Sequence, residues 1–461
     1  MLQPSAILGQ LKDRLAAGLD ALPLDRTQGL VSLVLALPRV PATAPQLPGP
    51  QFQFLHIHRE SLHAGYGSAA EWQADGPDRL RRLATAGRRL RGHWHRADPA
   101  GTGFDAFAML GFAATGDPAP RVDDHLPNAL LWVPEVGLRT SEGQAALVLS
   151  AALPAARGEL RARWEQALER LLPVLYEPIR GPLPAASLTR TFTEPDRGGW
   201  SDLVHEALAE IAQGELEKVV PSRRLDVTGT RRFDVGRLLG ALSCLFPSCQ
   251  IIDLRRNGAS FVAATPERLL HQRGSELEVD AIAGTAGRAE DTERDAALAR
   301  ALASSDKNLR EHRVVIEAVR EALRPCCNEI AVPEAPALMQ LSNAQHLWSP
   351  IRARVAPELD VLDLAGLLHP TPATNGHPRR AARDWLRHAE PFVRGWYTGA
   401  AGIVEPDLSG ELWVLLRCAR VCGNHAELYA GAGIVAGSDP AEEWDETEAK
   451  LGAMLTALQY A

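Results

Sequence analysis

The sequence predicts an α+β fold with large, mostly antiparallel sheets flanked by helices. Short apolar strands punctuated by turn residues recur through both halves of the chain. Long helical stretches interrupt these runs of strands, whereas a doubly wound parallel sheet would alternate strand and helix one for one. Neither GxGxxG nor a P-loop occurs, so neither a dinucleotide fold nor a nucleotide-phosphate loop is indicated. A length of 461 residues allows two or three domains or one large unit.

Residues 1–195 open with "MLQPSAILGQLKDRLAAG", an amphipathic helix whose apolar residues are too dispersed for a signal peptide. Strands follow in "FQFLHIH", "FAMLGFAA", "ALLWVPEV" and "AALVLSAAL", and a helix from Ala155 to about Leu175 closes this half. The stretch 180–199, "RGPLPAASLTRTFTEPDRGG", reads as an exposed linker. Beyond it, apolar residues at 203, 204, 207, 208 and 211 predict a helix over Trp200–Gln213 that Gly214 ends. Then come "EKVVPSRRLDV" as a strand and "CQIIDLRR", "ASFVAATPERLLHQ" and "LEVDAIAGTAGR" as consecutive antiparallel strands. Thr292–Leu323 is expected as one long helical stretch, and "LMQLSNAQHLWSPIRARV" begins another strand. A Pro/Gly loop, "HPTPATNGHP", feeds a helix. Strands at 394–404, 411–421 and 425–434 lead into a terminal helix from Asp439 to Leu458.

Hydrophobic residues make up 46% of the chain and charged residues 23%, an ordinary globular composition. The net charge is −8 and no basic stripe exists, so nucleic acid is not an expected partner. No apolar run approaches the roughly 20 residues that span a bilayer, so no membrane is expected. The six cysteines form no CxxC and have no histidines at zinc-finger spacing, which argues against a disulfide framework and for a reducing cytoplasm.

The densest chemical signal lies near the C-terminus. Arg417 sits in apolar "LWVLLRCARV", where a guanidinium is costly without an anion. The run Gly431-Ala432-Gly433 gives backbone turns whose N–H groups can face an anion. Glu443, Glu446 and Lys450 then share one helix face, at i, i+3 and i+7. Together these parts read as a carboxylate trap beside a metal site. Elsewhere, Lys218 in "EKVVPS" is either an outward strand lysine or a desolvated general base. Glu267 in "TPERLL" is either a partner of Arg268 or a general acid. Glu311, four residues after Lys307, is either half of a solvated ion pair or a ligand that joins Glu446 around Mg²⁺, and Lys450 with Glu446 poses the same choice. Asp439 is expected as a structural N-cap. His346 taken alone reads as a core histidine, and the "AIAGT" turn is too short to be specific.

In order, "EKVVPSR", "TPERLL", "AIAGT", "SSDKNLREH", "QHLWSPIRARV", "LHPTPATNGHP", "RGWYTGAAG", "LRCARV" and "GAGIVAGSDPAEEWDETEAKL" resemble the chorismate-utilising enzymes, the isochorismate, salicylate, anthranilate and aminodeoxychorismate synthases. The resemblance spans roughly residues 196–458. The first half is similar mainly through "HAGYGSAAEW" and "FAMLGFA", and no "LLES" element is present. It implies one structural unit, with residues 1–195 as a variable half and 196–461 as the chorismate-binding catalytic region. By resemblance, Lys218 is the base that activates water for attack at C2, and Glu267 is the acid that protonates the departing C4 hydroxyl. Glu311 and Glu446 match Mg²⁺ ligands, with Glu443 acting through water. Arg417, Tyr397 and the amides around Gly433 match the enolpyruvyl carboxylate site, and Gly431 is a further substrate-binding position. Gly284, Thr285, His346, Ala373 and Lys450 match other pocket positions. Within the family, lysine at 218 in place of glutamine points to water as nucleophile. Ala283 stands where a nucleophilic lysine would mark aminodeoxychorismate synthases, and Ala373 where salicylate synthases tend to have threonine. These positions imply Mg²⁺-dependent isomerisation of chorismate to isochorismate by a monomer without a glutamine amidotransferase subunit. Salicylate formation is the alternative. A chorismate-binding protein without catalysis would be expected to lose an acid, a base or a metal ligand. Menaquinone and siderophore pathways are both open.

Overall fold

The computed structural model describes residues 4–117, 126–177, 181, 183–341 and 344–461. Parts of the expected N-terminal helix (1–3), linker (180 and 182) and strand (342–343) lie outside these residues. Two large sheets dominate, one of twelve strands and one of ten, with a two-stranded ribbon beside them. All pairings in the two large sheets are antiparallel except Leu30–Ala36 with Trp94–Ala97. Each large sheet takes strands from both sides of residue 195: Gln51–His56 pairs with Gln250–Arg256, and Ala108–Phe112 pairs with Ala400–Val404.

The sheets pack face to face because their facing strands carry aromatic and branched residues at alternate positions. Phe52 of the larger sheet meets Trp132 of the smaller edge to face at 5.0 Å. A second apolar layer lies on the outer face of the twelve-stranded sheet, beneath the helices Pro4–Gly18, Arg157–Leu175, Val235–Leu245 and Pro440–Gln459. A third, smaller cluster, including Trp200, Val204, Val219, Leu386 and Ile434, seats the helices Arg197–Ala212 and Arg379–Ala389 over the ribbon. No helix among the described residues is long and apolar enough to cross a membrane.

Several boundaries differ from the sequence expectation. The expected linker contains a strand, Leu188–Glu194, which forms the exposed edge of the twelve-stranded sheet against Ser222–Gly229. The long helical stretch breaks at Ser305 into Thr292–Ser304 and Asp306–Leu323, and the Ser305 hydroxyl caps the second helix by accepting from the Asn308 N–H. Two runs expected as continuous strands each divide between the sheets. Ala259–Thr265 belongs to the larger sheet and Arg268–Arg273 to the smaller, while Gly410–Val414 belongs to the smaller and Cys418–Cys422 to the larger. The stretch expected as strand 394–404 enters its sheet only at Ala400. Asp439 does cap the terminal helix, accepting from the N–H groups of Ala441 and Glu442 at 2.9 and 3.0 Å.

Candidate active site

The two divided runs cross from sheet to sheet side by side, and a cleft opens beside the crossing. Glu267 occupies one crossing and Arg417 the other. Backbone bonds tie them: Val414 N–H to Glu267 O at 2.9 Å and Ala264 N–H to Arg417 O at 3.2 Å. Arg417 has φ +48°, a left-handed conformation that costs a non-glycine residue roughly 1–3 kcal/mol. The crossing holds that strain where the guanidinium faces the cleft. Every residue the sequence nominates for catalysis, substrate or metal lines this cleft, except Glu443.

Lys218 stands on the ribbon Lys218–Val219, paired with Gly376–His377. Its side chain is 1% exposed, which excludes the outward strand lysine, and Nζ donates to Glu311 Oε1 at 2.8 Å. Glu311 comes from the helix Asp306–Leu323, where it adjoins the stripe of buried residues His312, Val315 and Val319. Gly433 passes directly over this pair: a Cβ there would lie 2.6 Å from Glu311 Oε1 and 3.0 Å from Lys218 Cε.

Glu267 does not pair with Arg268, whose guanidinium is taken by Glu278, Asp280 and Glu411. Burial pushes the Glu267 carboxyl up to about 8, with Lys218 opposing and Asp280 reinforcing the shift. Glu267 is therefore predominantly protonated near neutral pH. Asp280 and Thr371 beside it carried no recognisable signal in the sequence.

Three lysine–carboxylate pairs border one end of the cleft: Lys218–Glu311, Lys307–Glu443 at 3.0 Å and Lys450–Glu446 at 2.7 Å. Lys307 thus reaches across to Glu443 and not to Glu311 on its own helix. Glu446 keeps the helical partner its spacing allows, and Lys450 also donates to Gly431 O at 2.9 Å. Burial opposes the charge on Lys307, but Glu443, in contact with it, and then Glu311 and Glu446 outweigh that and raise its pKa. Burial, then Glu446, raises the Glu443 carboxyl. Burial also opposes the charge on Glu311, yet Lys218, Lys450 and Lys307 hold its carboxyl below the usual range. Among the described residues no three His, Cys, Asp or Glu side chains gather closely enough to enclose an ion. Glu311, Glu443 and Glu446 nevertheless offer carboxylate oxygens, the donor chemistry a hard divalent cation takes.

Burial, with Arg417 and Lys450 reinforcing it, lowers His346 to about 3, so its ring is neutral. A guanidinium can only donate, so His346 Nε2 accepts from Arg417 Nη2 at 3.1 Å and Nδ1–H donates to Thr285 Oγ1 at 3.1 Å. Arg417 Nη1 is buried without a hydrogen-bond partner of good geometry, beside the Cys249 thiol. That arrangement suits an incoming carboxylate. Tyr397 stacks on Tyr429 at 5.3 Å, and a Cβ on Gly431 would lie 3.0 Å from its hydroxyl. The backbone run beside it departs from the expectation. Gly431 is the last residue of a strand, and the Ala432 N–H is engaged by Pro221 O at 3.2 Å.

Two sheets joined by crossings that carry an acid and an arginine, with lysine-bound carboxylates beside them, make this cleft the candidate active site. The chorismate binding enzyme family matches the chain over residues 25–459, and the chain belongs to that family. It is 38% identical over 275 residues to the salicylate biosynthesis isochorismate synthase of Pseudomonas aeruginosa, covering 60% of this chain and 58% of that protein. It is 33% identical over 265 residues to the isochorismate synthase MenF of Bacillus subtilis, covering 58% and 56% respectively. The matched stretch therefore spans less than two thirds of these relatives. Among solved structures, MenF, the menaquinone-specific isochorismate synthase from Escherichia coli, superposes with a TM-score of 0.80 at 28% identity, covering 99% of this chain and 100% of that one.

Proposed function

We propose that this protein isomerises chorismate to isochorismate, with water adding at C2 and the C4 hydroxyl leaving. The observation that carries the reading is the pairing of a protonated, buried Glu267 with a buried Lys218 in one cleft. The similarity to isochorismate synthases supports it.

In this reading Arg417 and Tyr397 hold the enolpyruvyl carboxylate at one end, with His346 and Thr285 fixing the guanidinium. Lys218 acts in its neutral form, having first given up the proton it directs at Glu311, and its Nζ takes a proton from the water as the water oxygen bonds to C2. Glu267 gives its proton to the C4 hydroxyl, which departs as water while the ring double bonds shift. One water enters and one leaves, so the net change is an isomerisation. Glu311 and Glu446, with Glu443 behind them, would hold Mg²⁺, which supplies positive charge against the ring carboxylate.

Salicylate plus pyruvate is the second outcome open to the same residues. Alanine at 373, in the cleft wall, argues for stopping at isochorismate. The test is incubation with chorismate and Mg²⁺ followed by separation of early products. Isochorismate as the main product is expected; salicylate and pyruvate without an added lyase would establish the second outcome.

A further inference from the structure

Arg223 is a large side chain with no exposure, it lies outside the cleft, and nothing in the proposed chemistry uses it. It stands on the strand Ser222–Gly229, opposite Ala430 and one residue from the Ser222–Gly431 pair at the cleft wall. Its guanidinium makes three contacts with the terminal helix Pro440–Gln459. Nε donates to Thr447 Oγ1 at 2.7 Å, Nη2 donates to Glu448 Oε1 at 2.5 Å, and Cζ lies 3.9 Å from the centre of the Trp444 ring. Thr447 Oγ1 in turn donates to Trp444 O at 2.7 Å, and Glu448 is also held by Arg190 at 2.9 Å.

The contacted residues, 444, 447 and 448, form one stripe of the helix. Glu443, Glu446 and Lys450 form the neighbouring stripe, about 120° around the axis at about 100° per residue. A helix gripped on the first stripe has its rotation fixed on the second. A fork with a flat face suits this grip: it hydrogen-bonds along two directions and stacks on an indole at the same time, which an ammonium cannot do.

We infer that Arg223 is a positioning residue that sets the rotation of the terminal helix and so places Glu446 and Glu443 for a divalent cation. The inference rests on the metal assignment in the proposed function. Groups that orient ligands without touching the metal typically govern about 10–100-fold in its affinity.

The test measures Mn²⁺ binding to the full chain, by electron paramagnetic resonance of free ion, alongside chorismate turnover. Arg223→Met keeps side-chain bulk and loses the fork. Arg223→Lys keeps the charge and provides a second variant should the first fold poorly. Arg231→Ala serves as control, because Arg231 Nε binds Ala461 O at 3.1 Å, beyond the far end of the same helix. The expected result is Mn²⁺ affinity weakened about 10-fold or more in the folded fraction of Arg223→Met, less in Arg223→Lys, and unchanged in Arg231→Ala. Wild-type affinity in both Arg223 variants, with only thermal stability reduced, would overturn the inference and leave the proposed function standing. Absence of Mn²⁺ binding by the wild type would overturn both.

Discussion

Lys218 and Glu311 form a buried ion pair, Nζ to Oε1 at 2.8 Å, under a glycine backbone that leaves no room for a side chain. The lysine is the proposed base and the glutamate a proposed metal ligand, so one contact joins the two halves of the chemistry. Breaking a buried pair from one side leaves the other charge uncompensated. Lys218→Ala should therefore do more than remove a base. Turnover is expected to fall about 10²–10⁴-fold, with substrate binding less affected. Steady-state kinetics with separate kcat and KM check this. A variant within a few-fold of wild-type kcat would remove Lys218 from the mechanism.

Gly433→Ala tests the same contact from above. The new methyl would press on the ends of two side chains, not on backbone, so the fold should survive. The pair itself must shift by several tenths of an ångström. Misplacement on that scale costs up to about 10²-fold in rate, and kcat/KM is expected to fall toward that figure with a near-normal circular dichroism spectrum.

In the proposed mechanism Glu267 sets the upper pH limit. An acid raised by burial to about 8 donates only while protonated, so kcat should decline as pH rises through that value. Glu267→Gln should lose this basic limb along with most activity. Stability carries the same signature. From the ordinary 4.5 up to about 8, the folded state keeps a proton that the unfolded state has released, so stability falls as pH rises across that window. Thermal unfolding from about pH 5 to pH 9 should show a shallower decline in Glu267→Gln than in the wild type. Parallel curves would contradict the buried, protonated carboxyl.

Glu446 distinguishes a ligand from a salt bridge. Its contact with Lys450 at 2.7 Å has both side chains 31% exposed and on its own contributes only about 0–1 kcal/mol. If that were its whole role, Glu446→Gln would stay within a few-fold of normal turnover and keep its Mg²⁺ response. The expected outcome is loss of turnover with the fold intact, read from a Mg²⁺ titration of activity alongside thermal unfolding.

Much of the fold was legible in the sequence. Strand alternation and helix caps gave most elements, and Asp439 caps its helix as its position before Pro440 implies. The crossings at Glu267 and Arg417 were not legible. In strands buried on both faces apolar residues run on without alternation, so "LWVLL" gives no sign that the chain leaves one sheet at Val414 and joins another at Cys418. The edge strand Leu188–Glu194 was missed for the opposite reason. Four consecutive residues in it are exposed, and an edge with little apolar face reads as loop. The nominated residues of the cleft converge, but their pairings do not follow spacing. Lys307 and Glu311 sit at i and i+4, yet each finds a closer partner on another element, Glu443 and Lys218. Local spacing limits what is possible, and tertiary packing chooses.

In the proposed reaction an external water, not the departing hydroxyl, becomes the oxygen at C2. Short incubation with chorismate in ¹⁸O-labelled water, followed by mass spectrometry of isochorismate, tests it directly. The predicted result is isochorismate carrying a single heavy oxygen at C2 from the earliest time point. Unlabelled isochorismate would mean that the hydroxyl migrates within the substrate, and the assignment of Lys218 as the base that activates water would fall.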